Sequence, residues 1–187
     1  MIEIRGLPIL WHIMKIYSHY GFNEFVIALG YKGNLIKEFF LNYSEMFSDI
    51  TIDYKNNQII KHQKTKENWI VNLVSTGSDS LTGSRVKKSM EFIGKERVMM
   101  TYGDGLSNVN IKELLDFHIT HKKLATLTAV RPSARFGELS FKENLITSFK
   151  EKPQAGEGWV NGGFFILEPE VLNYIGETNE PLDKKTF

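Results

Sequence analysis

The 187-residue sequence contains no cysteine, which excludes disulfide bridges, thiolate-bound zinc and a cysteine nucleophile, and fits a reducing cytoplasm. No apolar run approaches the roughly 18 residues needed to cross a bilayer. The opening "MIEIRGLPIL" is interrupted by an acid and an arginine, so it does not read as a secretory leader. Charge of one sign is lacking too: 23 Lys and Arg stand against 22 Asp and Glu, for a net charge of +1. Nothing is massed to hold nucleic acid or an anionic membrane. The patterns G-x-x-x-x-G-K-[ST], G-x-G-x-x-G and G-x-S-x-G do not occur, which removes the common phosphate-loop, dinucleotide and nucleophile-elbow readings. What remains is globular in composition, 42% hydrophobic and 24% charged.

Within that composition, periodic stretches alternate. "PILWHIMKIYSHYG" has apolar residues at helical spacing, with Pro8 suited to its start and Gly21 to its end. "FVIALG" (25–30) is a continuous apolar run, as expected of a strand buried on both faces. Residues 33–43 turn helical again, placing Phe39, Phe40 and Tyr43 toward the core, and "ITIDY" and "QIIKH" form a hairpin around Asn56-Asn57. A strand is predicted at 70–75, a helix at 83–93 with Val86, Met90 and Ile93 on one face, and a strand at "RVMMTY". Asn110 followed by Glu113 starts a further helix. "LATLTAV" (124–130) reads as one strand, "ELSF" and "LITSF" flank a turn, "GGFFIL" (162–167) is a strand, and Pro169 opens a short helix. This alternation predicts an α/β fold with a mainly parallel sheet. No linker, repeat or low-complexity tract interrupts it, so residues 1–187 read as a single domain.

Ligands of such sheets sit at the carboxyl ends of the strands. Four polar, glycine-rich segments fall there: 75–85, 102–105, 131–139 and 150–163. Asp104 stands between Gly103 and Gly105, where a carboxylate suits a hard cation such as Mg²⁺, or an ordinary tight turn. Thr82, Gly83 and Arg85 offer helix-start N–H groups and a guanidinium to an anion or nucleobase edge, or simply cap the helix. Lys152 could hold a phosphate or be a solvated surface residue. Asn161-Gly162-Gly163 could meet sugar hydroxyls or form a turn. His118 and His121 are one helical turn apart with no evident third ligand, so they read as helix histidines, and His12 reads as packed.

The stretches "GLPILWHIMKIYSHYGFNEFVIALGYKGNLIKEFF", "STGSDSLTGSRVKK", "TYGDG", "ATLTAVRPSARFGEL", "EKP" and "NGGFFILEPEV" resemble sugar-1-phosphate nucleotidylyltransferases, most closely the glucose-1-phosphate cytidylyltransferase branch. The likeness covers nearly the whole chain. It implies a Rossmann-like nucleotidyltransferase sheet, mostly parallel, with helices on both faces. It also implies synthesis of CDP-glucose and pyrophosphate from CTP and glucose 1-phosphate with Mg²⁺, in the cytoplasm, toward bacterial surface polysaccharide. By position, Asp104 would be the metal ligand and Gly103 a close contact to the nucleotide. Ser80, Thr82, Gly83 and Arg85 would lie along the nucleotide, while Gly137, Glu151, Lys152, Asn161 and Gly162 would line the sugar phosphate, with Lys152 on its phosphate.

Two family segments fall outside the likeness. Members open with a strand leading into "GGxGTR" and then a Lys-Pro pair, whereas this sequence begins at Met1-Ile2-Glu3-Ile4 and has Leu7 where Lys is usual. It stops at Phe187, before the second metal carboxylate and a region used in subunit contacts. The resemblance therefore implies a domain cut at both ends, with its first central strand absent. Such a piece of a homo-oligomeric parent would be catalytically impaired and prone to aggregate. The alternative is a catalytically inactive nucleotide- or sugar-binding, or interaction, domain of the same descent.

Overall fold

A computed structural model describes residues 2–62, 67–132, 138–150, 158–176 and 179–182. In chain order the elements are β1 (Glu3–Ile4), β2 (Leu7–Pro8), α1 (Ile9–His19), β3 (Glu24–Leu29), α2 (Gly33–Met46), β4 (Ile50–Asp53), β5 (Gln58–Lys61), β6 (Ile70–Ser75), α3 (Thr82–Ile93), β7 (Val98–Met100), α4 (Ile111–His121), β8 (Ala125–Thr126), β9 (Ala129–Val130), β10 (Glu138–Lys142), β11 (Leu145–Lys150), β12 (Val160–Asn161) and β13 (Phe165–Leu167). A 3₁₀ turn, Pro169–Tyr174, follows.

Local chemistry sets several of these bounds. The Asn110 side chain accepts from the backbone N–H groups of Lys112 and Glu113 at 3.1 and 3.2 Å, and donates to the Glu113 carboxylate at 2.8 Å. This closes the first turn of α4 as the sequence predicts. Asn57 takes a left-handed φ of 51° in the β4–β5 turn, a conformation asparagine tolerates.

β3 and β6 form a parallel ladder over six residue pairs, from Glu24↔Ile70 to Leu29↔Ser75. The other described pairings are antiparallel, including β13, which lies between β7 and β8. The α/β fold expected from the alternation is present. The pairing is more mixed than the mainly parallel sheet expected: among the described residues the parallel β3–β6 pair and the antiparallel β7–β13–β8 set are separate sheets, and β13 follows the strand β12 and not a crossover helix.

Helices cover both faces. Met99 of β7 and Phe164 pack with Ile13 and Tyr17 of α1, Ile111 of α4 and Phe25 of β3. On the opposite face Val98, Met100, Phe165 and Leu167 meet Val86 and Met90 of α3, Val171, Ile175 and Leu182. Along β7 and around β13 the side chains therefore alternate between the two clusters, as the strand period requires.

Three expectations are corrected. "LATLTAV" is not one strand but β8 and β9, broken at Leu127–Thr128. Opposite the break, Gly163 and Phe164 have φ of 76° and 49°. There Thr128 donates its N–H to the Gly163 carbonyl at 3.1 Å and accepts from the Gly162 N–H at 2.8 Å, so the ladder bulges. For the same reason "GGFFIL" contributes only Phe165–Leu167 to a strand. β3, read as buried on both faces, is only half-buried from Phe25 to Ala28, with Leu29 alone fully buried. Among the described residues it has a ladder partner on one edge, β6, and β7 likewise has only β13.

Candidate active site

Two clusters form at the predicted rim. The first is built by the bulge. Gly163's backbone N–H donates to the Asn161 side-chain oxygen at 2.8 Å, and the Asn161 amide donates to the Tyr102 hydroxyl at 3.1 Å. The Tyr102 ring stands edge-on to Phe165 at 5.8 Å. These contacts tie Tyr102, which precedes the Gly103–Asp104 turn, to Asn161–Gly163, and Asp104 is exposed. A Cβ at Gly103 or Gly105 would meet nothing within 4 Å, and neither residue has a positive φ. Neither the backbone nor a neighbouring side chain of this chain requires glycine at those two positions. Gly162 differs: a Cβ there would lie 2.7 Å from Val130 Cγ1 and 3.1 Å from the Thr128 carbonyl. Phe164 holds its left-handed φ while 1% exposed, its ring stacked on Tyr17 at 6.0 Å. Burial of this kind sustains a backbone conformation that a bulky side chain rarely adopts.

The second cluster lies where the parallel ladder ends. Thr76, 0% exposed, donates its hydroxyl to the Leu29 carbonyl at 2.9 Å and accepts from Arg85 Nη1 at 2.8 Å. Arg85 Nη2 donates to the Ser78 carbonyl at 3.2 Å. The guanidinium lies against Gly30, leaving no room there for a Cβ. The Thr76 carbonyl accepts from the Ser80 hydroxyl at 2.6 Å and from Lys88 Nζ at 2.8 Å. A cavity of about 560 Å³ opens beside this loop, its wall including Ser78, Ser80, Ser84, Lys88 and Asn179.

The start of α3 is not the open anion site that the sequence suggested. Gly83 is buried, its N–H donates to the Glu180 carbonyl at 3.0 Å, and a Cβ on it would meet that oxygen at 2.6 Å. Leu81, at the N-cap, donates its N–H to Asn179 Oδ1 at 2.6 Å. The segment 179–182 thus covers the helix end. Thr82 opens the helix half-buried, and its side chain does not cap it.

Of the predicted site residues, Asp104, Gly103, Asn161 and Gly162 come together, and Ser80, Thr82, Gly83 and Arg85 come together. Gly137, Glu151 and Lys152 lie outside the described residues. Sequence reasoning missed Thr76, Gly30, Lys88 and Asn179. Thr76 and Lys88 sit in or beside quoted motifs, but only the fold shows which of those hydroxyls and amines turn inward. His118, 1% exposed, is a structural link between Thr126 Oγ1 at 2.7 Å and Glu168 Oε1 at 3.0 Å. His121 stacks on Phe117 at 4.0 Å. His12 lies 3.0 Å from the Ile4 carbonyl.

Polar loops at the carboxyl ends of the strands, with one exposed acid between glycines, stand where open α/β folds bind their ligands. The chain belongs to the nucleotidyl transferase family, which it matches over residues 1–187. It is 47% identical over 176 residues to glucose-1-phosphate cytidylyltransferase of Salmonella typhimurium, covering 94% of this chain and 68% of that protein. Identity to the probable glucose-1-phosphate cytidylyltransferase of Bacillus subtilis is 41%, covering 92% and 67%. In fold the chain resembles HddC from Yersinia pseudotuberculosis, with a TM-score of 0.65 at 18% identity over 98% of this chain and 73% of that one. It also resembles a UDP-glucose pyrophosphorylase complexed with UDP-glucose, with a TM-score of 0.62 at 14% identity over 100% and 74%. Among the described residues no helix is long and apolar enough to cross a membrane.

Proposed function

We propose that this chain carries the substrate rim of a glucose-1-phosphate cytidylyltransferase: CTP and glucose 1-phosphate give CDP-glucose and pyrophosphate. One observation carries the reading. The Tyr102–Asn161–Gly163 hydrogen bonds anchor the residue that leads into the turn bearing the exposed Asp104, with open space around Gly103 and Gly105. Similarity to cytidylyltransferases supports the choice of CTP and of the glucosyl phosphate.

In this reaction a sugar-phosphate oxygen attacks the α-phosphorus of CTP and the bond to the β-phosphate breaks. The attacking oxygen is already anionic at neutral pH, so the protein supplies alignment and charge neutralisation in place of a general base. Among the described residues no group of three or more metal-binding side chains occurs. A lone rim carboxylate still fits Mg²⁺, which is commonly held by one or two carboxylates plus substrate phosphates. Asp104 would hold it, and when bound it would neutralise charge on the triphosphate. Arg85 and Ser80 orient the nucleotide along the loop after β6. Asn161 fixes Tyr102 and keeps one amide hydrogen for a sugar hydroxyl. Gly137, Glu151 and Lys152 complete the sugar-phosphate side of the proposal, with Lys152 on the phosphate. A reaction that consumes CTP is assigned to the cytoplasm in this reading.

These 187 residues hold no glycine-rich phosphate loop of the forms above, so the polypeptide assayed alone is expected to be slow. Loss of one comparable electrostatic contact costs about 2.7–4 kcal/mol in acyl-transfer sites. Single-turnover assays with Mg²⁺, glucose 1-phosphate and each nucleoside triphosphate test the reading. Nucleotide sugar formed preferentially from CTP supports it, while equal use of UTP or GTP overturns the nucleotide assignment. Tight CDP-glucose binding with no turnover would favour a binding domain instead.

A further inference from the structure

Asn179 lies 98 residues beyond the loop it touches and belongs to none of the motifs that point to the nucleotide. Its side chain nevertheless makes three contacts there. Oδ1 accepts from the Leu81 N–H at 2.6 Å and from the Ser84 hydroxyl at 3.2 Å, while Nδ2 donates to the Asp79 carbonyl at 3.0 Å. Asn179 is itself exposed, so burial does not account for the residue type. Its mount is firm, because Glu180 accepts from the Gly83 N–H at 3.0 Å and Leu182, 3% exposed, packs with Val86 and Met90. Asn179 also forms part of the wall of the 560 Å³ cavity, next to Ser78, Ser80 and Ser84.

We propose that Asn179 is a positioning residue for the nucleotide loop, its carboxamide stapling Asp79 to the start of α3 and so setting the path of Ser80 between them. The inference rests on the reading that this loop binds the nucleotide. The staple needs an acceptor for Leu81 and Ser84 and a donor for the Asp79 carbonyl, and a carboxamide supplies both on one side chain. Aspartate keeps the acceptor and, placed at a helix start, is electrostatically favourable there. It loses the donor and turns a charged oxygen toward the Asp79 carbonyl. Alanine loses both.

This difference separates positioning from simple capping. Asn179→Asp is expected to leave the thermal midpoint near that of the wild type and to weaken CTP binding about 2- to 10-fold by calorimetric titration, the scale of one lost neutral hydrogen bond. Asn179→Ala is expected to lower both stability and affinity. Asn179→Asp binding CTP as the wild type does would overturn the proposal, and so would an affinity loss that merely tracks a loss of stability. A wild type that binds no CTP would sink the nucleotide reading separately. Hydrogen exchange over residues 77–84 of the free protein then decides the staple: faster exchange in Asn179→Asp supports it, and unchanged exchange overturns it.

Discussion

Replacing Thr76 by valine tests how the end of the parallel ladder is held. Valine has nearly the same shape, so no cavity forms at this fully buried position. What is lost is a hydroxyl that donates to the Leu29 carbonyl at 2.9 Å and accepts from Arg85 Nη1 at 2.8 Å. The Leu29 carbonyl keeps the Thr76 N–H at 2.9 Å, so it is not orphaned, and the neutral bond contributes about 0.5–1.5 kcal/mol. The bond from the guanidinium belongs to the charged class, about 1.5–3 kcal/mol. Arg85 is only partly buried and also holds the Ser78 carbonyl, which puts its share at the lower end. The expected loss is therefore about 2–3 kcal/mol, a large part of the ~5–15 kcal/mol typical of a folded domain. Urea denaturation reads it as a lowered midpoint with an unchanged slope. A double-mutant cycle with Arg85→Met should return a coupling of about 1.5 kcal/mol. A loss below about 0.5 kcal/mol, or zero coupling, would refute the part given to the Thr76 hydroxyl and Arg85 in holding the end of the ladder.

Three further outcomes follow from the fold. Burial pushes the Glu168 carboxyl up, but hydrogen bonds from Arg97 and His118 outweigh it and hold the group below its ordinary value of 4.5. With the folded value the lower one, its stabilisation is complete above pH 4.5 and is lost as pH falls through the folded value. Glu168→Gln should flatten that acid-side decline in denaturation midpoints, and an unchanged slope would contradict the assignment. Gly162→Ala drives a Cβ to 2.7 Å from Val130 and should cost about 1–3 kcal/mol, whereas Gly103→Ala, in open space, should leave the thermal midpoint unchanged. β3 and β7 each show one ladder partner among the described residues, and Tyr17, in the core cluster that Phe25 and Met99 pack against, has a buried hydroxyl with no hydrogen-bond partner among the described residues. Open edges of this kind favour association, so light scattering should show concentration-dependent association of the 187-residue chain. A monodisperse monomer that melts reversibly would count against this.

Most elements were legible because local chemistry determines them. The apolar period of α1, the Asn110–Glu113 closure of α4 and the Asn57 turn each involve residues within a few positions of one another. The features that escaped depend on distant partners. Nothing near "LATLTAV" announces its break at Thr128, which comes from the left-handed Gly163 and Phe164 more than thirty residues away. Gly83 looked free because Glu180 and Asn179 arrive from the far end of the chain. The continuous apolar run of β3 predicts burial on both faces, yet a strand's burial also depends on what stands along its edges. At the candidate site, Asp104 and Asn161 could each be picked out as rim residues. Their link through the Tyr102 hydroxyl could not, since that depends on the bulge.

The measurement that bears most directly on the central claim compares CDP-glucose formation by the wild-type chain and by Asp104→Asn in single-turnover mixtures titrated with Mg²⁺. Because Asp104 is exposed on a turn, the substitution should leave the thermal midpoint unchanged. It should lower the rate about 100-fold or more, the scale of one lost electrostatic contact, and shift the remaining activity to higher Mg²⁺. Equal rates and equal Mg²⁺ dependence in the two proteins would contradict the assignment of Asp104 and, with it, this reading of the site.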